Sequence, residues 1–216
     1  APMPYTQLVL AIGLVANMGI IPGMAAHGLA MKTVGDAYFL RNHVIAMLEM
    51  AANTQDEELR RELLTVVTVG AGFSGVETCA EVHDMMVAAL KYYPELEGVK
   101  IRTVLVSSTE RILPALSPKL SAYADKLLRR RGVEVLLEVR TTSITPRSCF
   151  LNNGEQIATR TVISTVGNSP DPVILQTALP KHRGRLEVDE FMRCKGHDNV
   201  WAIGDCAWII NALDGE

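Results

Sequence analysis

Apolar residues along the chain follow two alternating patterns: short β-branched runs and longer stripes with helical spacing. Runs bounded by glycine, proline or asparagine favour buried strands, and stripes that repeat every three to four residues favour amphipathic helices. The predicted helices are 33–53, 76–90 and 117–131, and the predicted strands are 8–11, 63–69, 100–107, 133–137, 161–167 and 199–205. Strands that alternate with helices in this way are typical of a parallel sheet covered by helices.

A different pattern lies between the predicted strands 133–137 and 161–167. Three short alternating stretches, 140–145, 148–151 and 156–159, are separated by Pro146 and by Asn152-Asn-Gly154. Asn-Gly between alternating apolar residues is a hairpin signal. We therefore predict a small antiparallel meander next to the parallel sheet.

The segment 8–31 carries no formal charge and is long enough to cross a bilayer. Glycine or proline interrupts it five times, too often for one helix. The sequence instead predicts a buried strand at 8–11 followed by a glycine-rich crossover loop.

The most specific local pattern is Gly70-x-Gly72-x-x-Gly75, between an apolar β-branched run and helix-forming sequence without glycine or proline. At such a turn glycine serves the tight bend, the close approach of backbone to a pyrophosphate, and the packing of helix on strand. Free N–H groups and the positive end of the helix dipole favour a diphosphate. The turn, with Phe73 and Ser74, is thus a candidate dinucleotide site, and a purely structural turn is the alternative. Glu77 is a candidate because it lies close to the turn, although a first-turn acid also complements the dipole.

The predicted strand 100–107 ends at Ser107, where a nucleotide-binding unit normally places Asp or Glu on the adenosine ribose. The distance from Gly70 exceeds the usual ~20 residues, and the long helix with the loop 92–98 accounts for the excess. Because no carboxylate stands at this position and Arg111 follows closely, the choice between NADH and NADPH is open. A solvent-facing role is the alternative for Arg111. If the ribose end is assigned correctly, Ser107→Glu lowers NADPH affinity more than NADH affinity.

Composition excludes several classes of partner and site. A formal net charge of −3 over 216 residues argues against a nucleic-acid partner. The four cysteines, at 79, 149, 194 and 206, form no close pair, so neither a disulfide framework nor a metal site is predicted. Reduced thiols and the lack of a signal-peptide pattern favour a cytoplasmic setting.

Five segments, in this order, resemble the pyridine nucleotide–disulfide oxidoreductase superfamily, and most closely its type II NADH dehydrogenases. The segments are Tyr5–Gly13, Val69–Glu77, Glu110–Pro114, Val162–Gly167 and Val200–Asp205. Members of that group are flavoproteins that pass electrons from NADH to quinone. The resemblance implies an α/β fold, a three-layer (ββα) Rossmann-like domain that binds FAD or NAD(P), with a parallel sheet and a small antiparallel meander.

The resemblance also implies roles for individual residues. Three glycines would hold the pyrophosphate of NAD(P)H: Gly70, Gly72 and Gly75. Glu77 would lie near the nicotinamide as the catalytic residue, where the family's matching Glu faces the flavin, and Gly167 would line the nucleotide cleft. Asp205, after Gly204, would bind the ribityl or phosphate part of FAD. Ala11 and Gly13 would pass close to the same cofactor.

Two departures bear on these implied roles. The family's own N-terminal Gly-x-Gly-x-x-Gly is not found in the chain, and Ser107 stands where the family has an acid. We therefore expect a piece of a longer protein, with an NAD(P)H-binding domain at 18–193 between FAD-domain remnants at 1–17 and 194–216. Alone, this piece is expected to bind a dinucleotide without electron transfer.

The longer protein is expected to be an FAD-dependent NAD(P)H dehydrogenase that passes electrons to quinone or another acceptor. It is expected to lie on the inner face of a membrane, through segments outside this chain, and a homodimer is left open. Two alternatives remain: a ferredoxin, rubredoxin or disulfide reductase of the same superfamily, and a non-catalytic redox-sensing module that binds nucleotide. A thiol reductase commonly needs a redox cysteine pair, and this chain contains none.

Overall fold

The structure is a computed structural model that describes residues 3–210. Its α-helices are α1 (Met24–His27), α2 (Val34–Asn53), α3 (Glu57–Leu63), α4 (Phe73–Ala89), α5 (Pro118–Arg131) and α6 (Pro172–Gln176). Its strands are β1 (Leu8–Leu10), β2 (Leu14–Ala16), β3 (Leu29–Ala30), β4 (Thr65–Val69), β5 (Arg102–Val106), β6 (Val133–Leu136), β7 (Thr141–Thr145), β8 (Ser148–Leu151), β9 (Gln156–Ala158), β10 (Thr161–Ser164), β11 (Asn168–Pro170), β12 (Lys181–His182), β13 (Arg185–Glu187), β14 (Val200–Ala202) and β15 (Ala207–Trp208). Short 3-10 turns cover Leu90–Tyr92, Pro94–Leu96 and Gly204–Cys206.

A five-stranded parallel sheet in the order β3-β10-β4-β5-β6 forms the centre of the fold. All five residues of β4 are buried, as expected for a strand covered on both faces. Successive side chains point to opposite faces, so Val66 packs in the cluster built by α2 and α4, while Val67 packs against the meander. The predicted parallel sheet is therefore confirmed.

The meander β7-β8-β9 is antiparallel and covers the face of the sheet opposite to the helices. Ile144, Cys149 and Ile157 are buried there against Val104 and Val106 of β5. Meander, sheet and helices give the three-layer ββα arrangement that the resemblance implied.

Local signals explain where the long helices begin and end. Thr33 caps α2 in a capping box with Asp36: the Thr33 hydroxyl accepts from the Asp36 N–H at 3.1 Å, and the Asp36 carboxylate accepts from the Thr33 N–H at 2.7 Å. Ser117 caps α5, Pro118 opens it, and Gly132 ends it in a left-handed conformation. These helices lie where the periodicity predicted them.

The N-terminal segment differs from the prediction. The strand at Leu8–Leu10 is confirmed, but it is only partly buried, with Val9 57% exposed. The predicted crossover loop contains β2, α1 and β3, which are two to four residues long. β2 pairs with β11, more than 150 residues away in sequence. Local periodicity carries no signal for such a distant pairing.

The chain divides into two compact units: one comprises Met18–Gly167, and the other comprises residues 1–17 together with 168–216. The sequence analysis placed the boundary at residue 193, whereas these compact units divide at 167–168. Residues 168–193 belong to the second unit because β11 pairs with β2 and β13 pairs with β15. Which cofactor each unit binds stays a prediction.

Candidate functional site

The glycine turn follows β4 and is held in place by the end of β10. Gly70 has a positive φ of 107°, which glycine adopts without strain, and its N–H donates to the Val106 carbonyl at 2.9 Å. The Thr165 hydroxyl donates to the Val69 carbonyl at 2.9 Å and lies 3.2 Å from the Gly70 carbonyl. The turn is thus fixed by strands on both sides of β4.

Gly72 and Gly75 meet different surroundings. A Cβ at Gly75 would lie 1.8 Å from the Gly70 carbonyl oxygen, so this glycine is required where the helix packs on the turn. A Cβ at Gly72 would meet nothing within 4 Å. The backbone at Gly72 is therefore open for close approach of a ligand.

Helix α4 begins at Phe73 with no side chain capping it and no acid in its first turn. The first N–H groups of a helix have no partner within the helix, and the helix dipole places partial positive charge there. The turn therefore offers uncapped donors and positive potential to an anion.

A cavity of about 330 Å³ lies at the carboxyl ends of the central strands. Gly70, Gly72 and Ser107 line it together. The sequence analysis assigned them to the two ends of a dinucleotide site, and that assignment stays a prediction. The other lining residues are Ile20, Ile21, Val69, Ala71, Val106, Ser108, Thr109, Pro114, Val139, Arg140, Thr141, Thr165 and Val166. The crevice beyond the carboxyl ends of parallel strands is where α/β sheets bind ligands.

At the predicted ribose end, Ser107 is 3% exposed, and its hydroxyl lies 2.8 Å from the Thr109 hydroxyl. Arg111 does not line the cavity, and its guanidinium donates to the Pro114 carbonyl at 3.1 Å. Arg140, which the sequence analysis did not single out, does line it.

Glu77 and Ser74 line a different cavity, of about 650 Å³, between α2 and α4. Its polar lining residues include Lys32, Arg41 and Glu81, and its apolar ones include Leu40, Val44 and Val82. Glu77 is one turn into α4 and is exposed, so its carboxylate is accessible to a ligand in this groove. Phe73, at 51% exposed, lines neither cavity.

Gly167 follows β10 with a positive φ of 75° and comes directly after Thr165 and Val166, which line the smaller cavity. Gly167 itself does not line it. Its assignment to the nucleotide cleft stays a prediction.

The residues predicted to approach FAD lie in the other unit. Parallel pairing of β1 with β14 brings the segments that contain Ala11, Gly13, Gly204 and Asp205 to the same edge. A Cβ at Gly13 or Gly204 would meet nothing within 4 Å. The backbone at this edge is open, which fits close approach of a cofactor.

The cysteines are unsuited to redox chemistry at the surface. Cys79, Cys149, Cys194 and Cys206 are all free and buried. Burial raises the pKa of the Cys79 thiol to about 12, which keeps it protonated and unreactive at neutral pH.

Within residues 3–210, no helix is long and apolar enough to cross a membrane.

Thr165 and Arg140 are the site residues that sequence reasoning missed. Thr165 was included in a predicted strand but not recognised as a partner of the glycine turn, which is 95 residues away. Arg140 stands at the start of the meander. Its position at the cavity depends on how two loops pair, for which the sequence holds no local signal.

Comparison with known proteins gives consistent matches. A family model described as pyridine nucleotide-disulphide oxidoreductase matches residues 1–214. The mitochondrial external alternative NAD(P)H-ubiquinone oxidoreductase B2 of Arabidopsis thaliana is 33% identical over 215 residues, which cover 95% of this chain and 37% of that protein. The mitochondrial external alternative NADH-ubiquinone oxidoreductase of Yarrowia lipolytica is 27% identical over 219 residues, 95% of this chain and 38% of that protein. The chain thus spans well under half the length of these relatives.

Solved structures share the fold. NDH2 from Plasmodium falciparum, in complex with NADH, has a TM-score of 0.87 and 23% identity, covering 95% of this chain and 44% of that one. A ferredoxin reductase from Rhodopseudomonas palustris has a TM-score of 0.77 and 24% identity, covering 98% of this chain and 46% of that one. At these identities the likeness concerns the fold alone.

Proposed function

Because this chain belongs to the pyridine nucleotide-disulphide oxidoreductase family, we propose that it is the NAD(P)H-binding part of a flavin-dependent NADH dehydrogenase. The family resemblance predicted from the five sequence segments is confirmed. The proposed activity of the longer protein is transfer of a hydride from NAD(P)H to FAD and of electrons onward to quinone. The observation that carries the proposal is the open backbone at Gly72 beside an uncapped helix N-terminus.

The glycine turn suits the pyrophosphate of NAD(P)H. Gly72 leaves room for phosphate oxygens, and the first N–H groups of α4 donate to them without competition from a capping side chain. Thr165 holds the turn in this shape by its hydrogen bond to the Val69 carbonyl. The adenosine half would extend along the cavity towards Ser107.

Glu77 and Ser74 are proposed to serve the other half of the nucleotide. They lie on α4 directly after the turn and line the larger groove, part of whose surface is apolar. Glu77 is proposed to orient the nicotinamide and to face the flavin. FAD, when bound, supplies the hydride acceptor, and the protein supplies binding and orientation.

The unit with β1 and β14 is proposed to contact FAD. Gly13 and Gly204 leave open backbone at the carboxyl ends of two adjacent parallel strands, and Asp205 follows with a carboxylate that accepts hydrogen bonds from hydroxyls. Ala11 lies at the same edge. The residues present therefore fit part of a cofactor site.

The proposed electron acceptor and cellular location of the longer protein rest on the names of the relatives. Their names describe mitochondrial ubiquinone oxidoreductases. We propose quinone as the acceptor of the longer protein and a position at a mitochondrial membrane surface. A cytoplasmic location, which the composition suggested, is not the one these names favour.

Calorimetric titration of the purified chain with NADH tests the binding part of the proposal. We expect one NADH per chain and competition by 5′-ADP, which carries the same pyrophosphate and adenosine. Absence of binding of both NADH and NADPH would contradict the proposal. Flavin absorbance near ~450 nm, recorded before and after anaerobic addition of NADH to the longer protein, tests hydride transfer. An oxidised spectrum that persists would exclude the dehydrogenase activity and favour a non-catalytic module.

A further inference from the structure

The smaller cavity has an unusual charge for a site that would hold an NADH ribose. Among the described residues 3–210, no Asp or Glu lines this cavity, and Arg140 is the one cation that does. Five hydroxyl side chains line it as well: Ser107, Ser108, Thr109, Thr141 and Thr165. A carboxylate at the adenosine ribose accepts hydrogen bonds from both ribose hydroxyls and repels a 2′-phosphate, so it favours NADH over NADPH. Hydrogen-bond donors in place of the carboxylate reverse this preference.

Pairing between two loops brings Arg140 to the ribose end. The Val139 N–H donates to the Ser107 carbonyl at 2.9 Å, and the Glu138 N–H donates to the Thr109 carbonyl at 3.0 Å. These bonds place the segment after β6 alongside the segment after β5. Arg140 follows directly, next to Ser107, Ser108 and Thr109 at the cavity wall.

The backbone of Arg140 is fixed on its other side by the meander. Its N–H donates to the Asn152 side-chain oxygen at 2.9 Å, and its carbonyl accepts from the Asn152 N–H at 2.9 Å. Its guanidinium, in contrast, has no ion pair or hydrogen bond with any residue of the described range 3–210. The positive charge of Arg140 is therefore exposed and accessible to a ligand, while the backbone of Arg140 is held by its hydrogen bonds to Asn152.

The other cation near this end is already engaged. Arg111 donates to the Pro114 carbonyl and does not line the cavity. Glu110 and Glu138 are near in sequence and exposed, but neither lines the cavity. Neither carboxylate therefore stands where it would oppose an anion beside Ser107.

We propose that this cavity recognises the 2′-phosphate of NADPH, with Arg140 as the specificity-determining cation and the hydroxyls of Ser108 and Thr109 as further donors. The inference rests on the proposed function, because it requires a dinucleotide on the glycine turn. It extends that function by naming the nucleotide: the chain binds NADPH at least as tightly as NADH. Arg111, the candidate from the sequence, takes no part in this discrimination.

The test compares NADH and NADPH binding to the wild-type chain, Arg140→Ala and the matched control Arg111→Ala. We expect Arg140→Ala to weaken NADPH binding about 10- to 100-fold, as charge-assisted hydrogen bonds to phosphate predict. NADH affinity should change by no more than about twofold. NADH has no 2′-phosphate, and an exposed arginine without such a partner contributes little to binding. Arg111→Ala should leave the ratio of the two affinities unchanged. Adenosine 2′,5′-bisphosphate, used as competitor, should lose affinity for Arg140→Ala in parallel with NADPH.

The outcomes separate the inference from the proposed function. If neither nucleotide binds the wild-type chain, the proposed function fails and the inference falls with it. If NADH binds but NADPH binds more weakly, or if Arg140→Ala weakens both equally, the proposed function stands and the inference is overturned. A selective loss of NADPH in Arg111→Ala instead would also overturn it. Thermal unfolding of both variants checks that each is folded, which we expect because Arg140 is exposed and Arg111 is only partly buried.

Discussion

Gly72 and Gly75, three residues apart in one turn, are constrained by different neighbours. Gly75 is fixed by the protein itself, since a Cβ there would collide with the Gly70 carbonyl. Gly72 has no such neighbour, so the folded chain alone gives no reason for glycine at that position. A bound pyrophosphate would give one. Substitution at the two positions therefore separates packing from ligand binding.

We expect Gly72→Ala to leave the unfolding temperature nearly unchanged and to weaken NAD(P)H binding by about tenfold or more, about 1.4 kcal/mol. The added methyl group would occupy space needed by the phosphate oxygens. Gly75→Ala should lower both stability and binding, because the helix must move away from the turn. Thermal unfolding and nucleotide titration of both variants measure the two effects.

Gly35→Ala is the matched control for these substitutions. Gly35 lies in the first turn of α2, where a Cβ would meet only the Thr33 hydroxyl oxygen at 3.5 Å. Alanine favours a helix over glycine by about 0.5–1 kcal/mol, so this variant should unfold at a slightly higher temperature with NAD(P)H affinity unchanged. Weaker binding in Gly35→Ala, or unchanged binding in Gly72→Ala, would argue against the assigned turn.

At the scale of secondary-structure elements, the carboxylate of Glu62 links the end of α3 to two other segments, which contain Arg147 and Arg160. It is 4% exposed, and it accepts from the Arg147 guanidinium at 2.6 Å and from the Arg160 Nε at 3.0 Å. Arg147 belongs to the turn between β7 and β8, and Arg160 precedes β10. The hydrogen bond from Arg147 is the main reason that the pKa of Glu62 is lowered, with burial opposing it and Arg160 supporting it.

We expect Glu62→Gln to lower the free energy of unfolding at pH 7 by about 1–2 kcal/mol, because it weakens the three charge-assisted hydrogen bonds from Arg147 and Arg160. Since the pKa of Glu62 is lowered on folding, its contribution is complete above the ordinary pKa of 4.5 and is lost as the pH falls through the folded value. The difference between wild type and variant should therefore shrink in acid. Urea unfolding at several pH values measures it.

The control for that experiment is Glu58→Gln, on the same helix at an exposed position. A surface substitution of this kind changes stability by less than about 0.5 kcal/mol. A stability difference for Glu62→Gln that is the same at pH 3 and pH 7 would mean that the ion pairs do not cause it.

Elements with local signals were predictable from the sequence, and elements formed by distant pairing were not. The capping box at Thr33, and Ser117 with Gly132, mark helix ends by side-chain and backbone chemistry within one turn. β2 exists only because β11 pairs with it. The candidate site divides in the same way: Gly70 and Ser107 were predicted from motif and spacing, whereas Arg140 depends on the pairing of two loops.

On the scale of the whole molecule, the two compact units have separate cores. The clusters around Leu48, Val67 and Leu105 each lie wholly within residues 18–167. The cluster around Leu186 is built from residues of the other unit. All residues that line the smaller cavity also belong to 18–167.

We therefore expect residues 18–167, expressed alone, to unfold cooperatively and to bind NADPH with the affinity of the full chain, within about threefold. The unit keeps its sheet, both covering layers and the glycine turn. Calorimetric unfolding and NADPH titration of the shortened protein measure both properties. Non-cooperative unfolding, or a cooperative unit that no longer binds, would show that residues outside 18–167 are needed for the fold or for the site.

The position of β10 in the sheet has a consequence for the order of synthesis. β10 is the last strand of the sheet to leave the ribosome, yet it lies between β3 and β4, the first two. Until residue 164 has emerged, one edge of β4 lacks its partner, and unpaired edges promote aggregation. Thr165, which fixes the glycine turn, emerges later still. We therefore expect the nascent chain to need protection by chaperones until β10 has emerged, and to gain affinity for nucleotide only after that point.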